Sequence, residues 1–291
     1  MMHHASRRID HVVVAVHDLD AGGALYERLG FQVGARNRHP WGTENRLVQF
    51  GSSFIELITI GEGATIAPHA DKSFSFGAFL RDYLAQREGL AMLVLDSDDA
   101  KADAGAFAQK GIGSFEPFHF ERRGRRPDGS PTQVAFTLAF ARDPAAVQAG
   151  FFVCQHHFPE NFWNPAFQRH DNKAADIAAV AFVAPDPEQH AAFLAAFTGA
   201  DPERVVDRDL SFPLRGARLH VMTPDDAAEV FGSVEVDPAE PSLAAFSVRV
   251  EDMGRQGRWL DAAEVPYQHI GSRIVVPASA AFGVAIAFEA T

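Results

Sequence analysis

Cysteine is almost absent from this sequence of 291 residues, in which Cys154 is the only one. An intramolecular disulfide and a multi-cysteine zinc site are therefore excluded. Long apolar runs are also lacking, because even the run at 90–95 is far too short to span a bilayer. No apolar signal segment precedes the first predicted strand. We therefore expect a cytoplasmic protein without a membrane partner, since a single thiol suits a reducing compartment.

Basic residues are outnumbered, with 26 Lys+Arg against 38 Asp+Glu and a net charge of −12. Nucleic-acid binding needs a basic face, so we expect no nucleic-acid partner. The sequence also has no phosphate-binding glycine loop and no Gly-x-Ser-x-Gly motif. Tyrosine and tryptophan occur 3 times each, against 25 phenylalanines. Because many of these phenylalanines fall on predicted strands, an apolar pocket is expected.

One pattern of predicted elements, a strand, a helix and three further strands, recurs four times along the chain. The copies begin near His11, Leu90, Ile177 and Leu243. The stretch 61–87 fits no copy and is interpreted as a connector with a helix near 77–86. A single βαβββ unit leaves its curved sheet open, whereas two units side by side form a cup. The predicted fold class is α+β, with four βαβββ units paired into two domains at 1–165 and 166–291.

Tandem βαβββ units resemble the vicinal oxygen chelate superfamily, which includes glyoxalase and extradiol dioxygenase relatives. The motifs that carry the resemblance are DHVVVAVHDLDAGGALYERLGF, HPWGTENRLVQFG, FIELI and CQHHFPENFWNPAFQRHDNKA. Together they look most like the bacterial glyoxalase-like-domain family. This superfamily hosts lyases, isomerases, dioxygenases and binding proteins, so the resemblance implies a fold more sharply than a reaction. It also implies a small-molecule ligand and a monomer or homodimer.

The resemblance implies a divalent metal on the concave face, held by residues of the first and fourth strands of a unit. In unit one these positions hold His11 and Glu56. Imidazole and carboxylate together suit zinc, iron, nickel or manganese. Glu56 is flanked by apolar residues in FIELITI, and an unpaired buried carboxylate is costly, which favours a catalytic or metal-binding role. The alternative for His11 is an ordinary histidine at a strand edge.

The second unit offers His156 and His157 at the end of its last strand, whereas its first strand has no ligand at the position aligned with His11. Strand alternation sends the two histidines to opposite faces, so only one of them can enter the cup. The sequence does not settle which one. A set of two histidines and one carboxylate would suit iron(II) chemistry or Lewis-acid catalysis. The alternative is that His156 and His157 begin a polar loop.

Substrate-binding candidates lie in HPWGTENR, between the second and third strands of unit one. They are His39, Thr43, Asn45 and Arg46, and Trp163 is added as a wall residue. Arg46 could hold a carboxylate or phosphate through two hydrogen bonds. The alternative is a hairpin turn with a solvated arginine. The basic run ERRGRRPDGS is interpreted as a solvated hairpin, with an anion site or a partner contact left open.

Units three and four are poorer in candidate ligands. The positions aligned with Glu56 hold His220 and Glu289, without a second histidine to support them. The second domain is therefore expected to be structural or to act as a lid. Three functions stay open: a divalent-metal-dependent lyase or isomerase, a metal-free drug-sequestering protein, and an iron(II) extradiol-type dioxygenase. The absence of histidines from the first strands of units three and four counts against the last.

Overall fold

The structure is a computed structural model that describes residues 7–125, 131–205, 209–234, 237 and 239–291. Its first half forms an eight-stranded sheet in the order β2-β3-β4-β1-β5-β8-β7-β6. The strands are β1 (Ile9–Ala15), β2 (Asn37–Arg38), β3 (Thr43–Gln49), β4 (Phe54–Ile60), β5 (Gly89–Asp96), β6 (Phe118–Arg125), β7 (Pro131–Ala141) and β8 (Gly150–His156). The helices of this half are α1 (Leu19–Arg28), α2 (Phe76–Leu84), α3 (Ala100–Gln109) and α4 (Pro159–Phe162).

The second half repeats this arrangement in the order β10-β11-β12-β9-β13-β16-β15-β14. Its strands are β9 (Ala174–Val183), β10 (Glu203–Arg204), β11 (Leu210–Leu214), β12 (Ala217–Met222), β13 (Ser242–Val250), β14 (Gln268–Ile270), β15 (Arg273–Val276) and β16 (Ala285–Ala290). Its helices are α5 (Ala191–Thr198), α6 (Pro224–Phe231) and α7 (Met253–Ala262), with short 3₁₀ helices at Pro187–His190 and Ala278–Ala280.

The predicted α+β fold of paired βαβββ units is confirmed by this topology. In the first sheet, β1 pairs in parallel with β4, and β5 pairs in parallel with β8. The two units meet where β1 and β5 run antiparallel. The first sheet ends at His156 and the second begins at Ala174. The proposed domain boundary near residue 165 falls between them and stays a prediction.

An aspartate two or three residues after the first strand helps to explain why a helix follows in units one, two and four. Asp18 accepts hydrogen bonds from the backbone amides of residues 20 and 21, and Asp99 does the same at the start of α3. Asp252 caps α7 in the same manner. Such caps satisfy amide groups that otherwise lack a partner at a helix start. A recurring aspartate therefore helps to set the repeated switch from strand to helix.

Strand alternation divides the apolar residues into two layers. Val12 and Val14 of β1 belong to a core shared by both sheets, in which Phe151 also contacts Phe182 of the second sheet. Val13 and Ala15 point the other way, into a separate cluster on the concave face of the first sheet. Helix α2 from the predicted connector packs into that cluster. The concave face is thus partly filled, and a cavity is left beside the start of β1.

Candidate functional site

The cavity lies on the concave face of the first sheet, and its volume of about 50 Å³ suits a few water molecules. Most of its wall is aromatic or aliphatic, and its polar groups come from six different strands or their flanks. The lining residues are His11, His39, Trp41, Asn45, Leu47, Phe54, Glu56, Phe76, Phe120, Arg122, Phe136, Leu138, Phe152, Cys154 and Phe162. The predicted apolar pocket therefore has a small polar patch.

His11 and Glu56 meet in this cavity because β1 and β4 are neighbouring parallel strands. The Nε2 atom of His11 lies 3.8 Å from Oε2 of Glu56. The two residues are only 4% and 5% exposed. The His11 ring also stacks on Phe54, with centroids 4.2 Å apart. The structure thus brings together two residues that are far apart in the sequence, and both are aimed at the same space.

Asn45 and His39 flank the second oxygen of Glu56. The Asn45 side-chain amide donates a very short hydrogen bond to Oε1 of Glu56, and Nε2 of His39 lies 4.0 Å from the same oxygen. The other ring nitrogen of His39 lies 2.8 Å from the Thr43 hydroxyl. Burial lowers the pKa of His39 to about 4, although the nearby Glu56 charge opposes this shift. His39 is therefore a neutral imidazole at neutral pH.

Asp10 links two histidines behind this patch. Its carboxylate lies 2.6 Å from Nδ1 of His11 and 3.0 Å from Nε2 of His156. Burial alone would raise the pKa of Asp10, but the His156 charge and the hydrogen bonds from both histidines lower it well below its usual range. The strand pairing shifts register between Ile9 and His11, which lets neighbouring side chains approach each other. Asp10 therefore orients the His11 ring.

The sequence of this region belongs to a known family. The profile of the glyoxalase-like domain matches residues 9–198, which is about two thirds of the chain. The chain belongs to the glyoxalase-like-domain family. The matched segment contains the whole first sheet and every cavity residue. A search of curated proteins gave no match.

Solved structures support the fold of this glyoxalase-like protein. A hypothetical protein from Staphylococcus aureus is similar, with a TM-score of 0.67, 12% identity, and coverage of 98% of this chain and 100% of that chain. A mutant 4-hydroxymandelate synthase from Streptomyces coelicolor has a TM-score of 0.57 and 14% identity, over 90% and 76% of the two chains. A xylose isomerase-like TIM barrel/4-hydroxyphenylpyruvate dioxygenase fusion protein has a TM-score of 0.53 and 16% identity, over 90% and 40%. At these identities the likeness shows the fold.

The two histidines at the end of β8 have different surroundings in the glyoxalase-like protein. His156 lies on the concave face with Cys154 and Phe152, and its ring stacks on Trp163 at a centroid distance of 5.7 Å. His157 lies on the opposite face, where its Nε2 atom is 2.7 Å from the Thr137 hydroxyl. Of the two histidines that the second unit offers as metal ligands, only His156 lies on the same face as His11 and Glu56.

Among the substrate-binding candidates, Thr43, His39 and Asn45 join the site, whereas Arg46 does not. Arg46 follows Asn45 on β3, so strand alternation turns it to the other face. There it forms a 2.6 Å ion pair with Asp20 and donates to the Gly34 carbonyl. Trp163 reaches the site indirectly, through His156 and Phe54. The prediction that Arg46 binds the substrate does not agree with this placement.

Sequence reasoning missed Asp10 and Trp41, and for Arg122 it left an anion site open beside the interpretation as a solvated hairpin. Asp10 stands directly before His11, and Trp41 stacks on His39 with ring centroids 4.4 Å apart. Arg122 comes from the basic run, and its position two residues after Phe120 on β6 puts it on the concave side. The alternating pattern in FHFERRGR was the available signal. Arg126 and the side chain of Arg125, also in that run, lie outside the described residues.

Among the described residues, Cys154, Asp10 and His156 are the three donor side chains whose ligand atoms all lie within 4.8 Å of one another. Burial, reinforced by the charges of Asp10 and Glu56, raises the pKa of the Cys154 thiol well above its usual range. The Asp10 carboxylate is already shared between two histidines. A metal at this group would therefore have to displace the thiol proton and compete with both histidines for Asp10.

The concave face of the second sheet is filled. Alanines 181, 244, 245, 285 and 287 line it, and Ala227 and Phe231 of α6 pack onto them. His220 has a lowered pKa because of burial and the charges of Arg273 and Arg218, which Glu289 opposes. The Glu289 carboxylate lies 3.5 Å from Arg273, so it is partly paired.

No helix among the described residues is long and apolar enough to cross a membrane.

Two pairs of donor atoms in the first-sheet cavity, His11 with Glu56 and His39 with Glu56, are spaced as two ligands of one divalent ion would be. Nitrogen and oxygen ligands bind zinc at about 2.0–2.2 Å, so ligand atoms on one ion lie about 3–4 Å apart. The separations between Glu56 and the two imidazoles of His11 and His39 are 3.8 and 4.0 Å. In the described part of the chain, Oδ1 of Asn45 is buried without a hydrogen-bond partner. This oxygen is therefore a further atom that is free to bind a metal ion.

Proposed function

We propose that this protein is a divalent-metal-dependent lyase or isomerase that acts on a small substrate with two neighbouring oxygens. The observation that carries the proposal is the close approach of His11 and Glu56, which are buried and face one cavity. A buried carboxylate beside an imidazole is expensive unless it is paired or binds a metal. Only one oxygen of Glu56 has a hydrogen-bond donor from the described residues, the Asn45 amide.

His11, Glu56 and His39 are the residues proposed to hold the metal. Asp10 acts behind them, because its bond to Nδ1 of His11 keeps the proton on that nitrogen and leaves Nε2 free to bind. The Thr43 hydroxyl contacts Nδ1 of His39 and the Asn45 amide nitrogen lies 3.4 Å from its Nε2, and the ring is neutral, as a ligand must be. His156, whose Nε2 atom faces Asp10, has a positioning role in this proposal.

The bound metal would act as a Lewis acid that polarises a substrate oxygen. Glu56 has the position of a proton shuttle, since Asn45 holds its Oε1 atom and leaves Oε2 facing the cavity. The phenylalanine wall makes most of the cavity surface apolar, which strengthens the electrostatic interactions beside it. Phe54, Phe136 and Phe152 form much of that wall. The chain therefore supplies a base, a largely apolar cavity and an oriented imidazole.

Two other functions remain candidates. A metal-free binding protein is favoured by the aromatic wall, but drug-sized ligands fill pockets of about 300–1,000 Å³, and this cavity measures about 50 Å³. An iron(II) dioxygenase is favoured by the two imidazoles and one carboxylate, a ligand set found in oxygen-activating iron sites. The names of two structural neighbours, a 4-hydroxymandelate synthase and a 4-hydroxyphenylpyruvate dioxygenase fusion, point in the same direction.

Metal content in matched variants tests the proposal. The wild type would be compared with His11→Ala and Glu56→Gln, after purification without added metal and after loading with Zn²⁺, Mn²⁺, Ni²⁺ or Fe²⁺. His17→Ala and Glu62→Gln are the controls, because each lies six residues further along the chain and is exposed. We expect about one metal per chain in the wild type and the controls, and little in the two site variants.

The outcomes separate the three candidates. Unchanged metal content in both site variants overturns the proposed ligand set. A wild type that binds none of the four metals supports the metal-free binding protein. Oxygen uptake by the iron-loaded protein with catechols or aromatic 2-oxo acids supports the dioxygenase, whereas turnover without oxygen supports the lyase or isomerase.

A further inference from the structure

Arg122 is a charged residue of the cavity that the proposed metal site does not use. It lies on β6, where alternation puts Phe118, Phe120 and Arg122 on one face. Burial lowers the pKa of the guanidinium, and the Glu56 charge raises it. An arginine stays protonated in proteins. The cavity therefore holds a permanent positive charge next to an apolar wall.

No hydrogen bond or ion pair joins Arg122 to another side chain in the described part of the chain. The charge of Glu56 acts on Arg122, but the Glu56 oxygens face Asn45 and His11 instead. The next residue shows the contrast, since Arg123 is 77% exposed and forms a 2.9 Å ion pair with Glu121. Arg122 is half-buried, lines the cavity and has no ion-pair partner among the described residues, so its guanidinium is available to an anionic ligand.

We propose that Arg122 binds the carboxylate of the substrate, and that the substrate is a small 2-oxo or 2-hydroxy acid. This inference rests on the proposed metal-dependent function, because the oxygen next to the carboxylate would face His11 and Glu56. A guanidinium matches a carboxylate through two parallel hydrogen bonds. The cavity of about 50 Å³ restricts the acid to a few heavy atoms beyond that group.

The charges of the site agree with an anionic ligand. His39 is neutral, and the carboxylates of Asp10 and Glu56 lie beside the site. With a divalent ion bound, these two carboxylates offset its charge, and the guanidinium of Arg122 adds one positive charge. An uncharged diol or aldehyde would leave that excess uncompensated in an apolar cavity, whereas a carboxylate reduces it.

Calorimetric binding of four probes tests the inference. Pyruvate, glyoxylate and lactate carry the carboxylate, and pyruvamide is the uncharged counterpart of pyruvate. Each would be titrated into metal-loaded and metal-free wild type, Arg122→Gln, Arg122→Lys and Arg123→Gln. Arg123→Gln is the matched control, because it removes the same charge from the neighbouring exposed position.

The wild type should bind at least one of the acids about tenfold or more tightly than pyruvamide, since hydrogen bonds between charged groups are among the strongest. Arg122→Gln should remove that preference and leave the metal content unchanged, and Arg122→Lys should restore it in part. An unchanged preference in Arg122→Gln, or no binding of any acid, overturns the inference. If the protein binds no metal but the preference still depends on Arg122, the metal proposal fails and the carboxylate assignment stands.

Discussion

Asp10 and His11 are neighbours in the chain and also form a buried pair, in which Oδ1 of the carboxylate lies 2.6 Å from Nδ1 of the imidazole. The second oxygen of Asp10 lies 3.0 Å from His156. The bond between Asp10 and His11 fixes which nitrogen of His11 carries the proton and which way the ring points. If His11, Glu56 and His39 bind a metal as proposed, the affinity should therefore depend on Asp10, which is not a ligand in that proposal.

Replacing Asp10 tests this dependence. We expect Asp10→Asn to weaken zinc binding by about 10–100-fold, because partners behind metal ligands typically contribute that much. The measurement is a competition titration against a chromophoric chelator at pH 7.5. Asp98→Asn is the control, since Asp98 is exposed. Equal affinities of the Asp10→Asn variant and the wild type would contradict the orienting role.

The neutral state of His39 predicts a pH dependence of folding. Its pKa in the folded protein is about 4 because of burial, whereas an unfolded histidine has a pKa of about 6.5. Between these values the unfolded chain binds more protons, so the wild type loses stability as the pH falls from about 6.5 to 4. His39→Gln removes this contribution.

Denaturant unfolding at pH 7.5 and pH 5 measures the effect. The free energy of unfolding of the wild type should fall by about 1–2 kcal/mol more than that of His39→Gln over this interval. His269→Gln, at an exposed position, should behave as the wild type does. The same pH response in all three proteins would mean that burial does not lower the pKa of His39 in the folded state.

The repeated fold could be predicted from the sequence because its signals come from residues that are close together in the chain. Strand β1 is buried at every position and ends at the capping residue Asp18, and the same order of strand, aspartate and helix returns at Asp99 and Asp252. These signals depend on residues close together in the chain. The pairing of units was readable because a single open sheet leaves one face uncovered.

The site could be predicted only in part, because it depends on which alternate residues of each strand face the cavity. His11 and Glu56 could be joined through the resemblance to known folds, but nothing in the sequence set the phase of β8, and the alternation in FHFERRGR was the one signal for the phase of β6. A shift of one residue exchanges His156 with His157 and Arg122 with Arg123. The same uncertainty produced the prediction for Arg46, which the structure turns away from the cavity. The register shift beside Asp10 has no signature in the sequence.

We expect the buried charge of Glu56 to lower the free energy of unfolding of the metal-free protein while it serves the proposed site. The carboxylate is 5% exposed and has the Asn45 amide as its hydrogen-bond donor among the described residues. Glutamine keeps an oxygen that can accept this bond and removes the buried charge. In metal-free protein, Glu56→Gln should therefore leave the free energy of unfolding unchanged or raise it by about 1 kcal/mol. Chemical denaturation with chelator present checks this, and a clear loss of stability would indicate a structural role.

The thiol of Cys154 distinguishes the two possible donor groups. If His11, Glu56 and His39 bind the metal, Cys154→Ala should keep the metal affinity within about twofold, with a stability loss of about 1 kcal/mol for the lost packing. If Asp10, Cys154 and His156 bind it instead, the same variant should lose most of the metal. Elemental analysis after dialysis measures this.

The rate at which the Cys154 thiol reacts is an independent test of which residues bind the metal. Burial raises the pKa of Cys154, and the thiolate is the form that attacks disulfide reagents. The folded protein should therefore react with 5,5′-dithiobis(2-nitrobenzoic acid) only as fast as it unfolds, whether or not zinc is present. Zinc-dependent protection of a thiol that otherwise reacts quickly would contradict the assignment to His11 and Glu56, because it would show that Cys154 binds the ion.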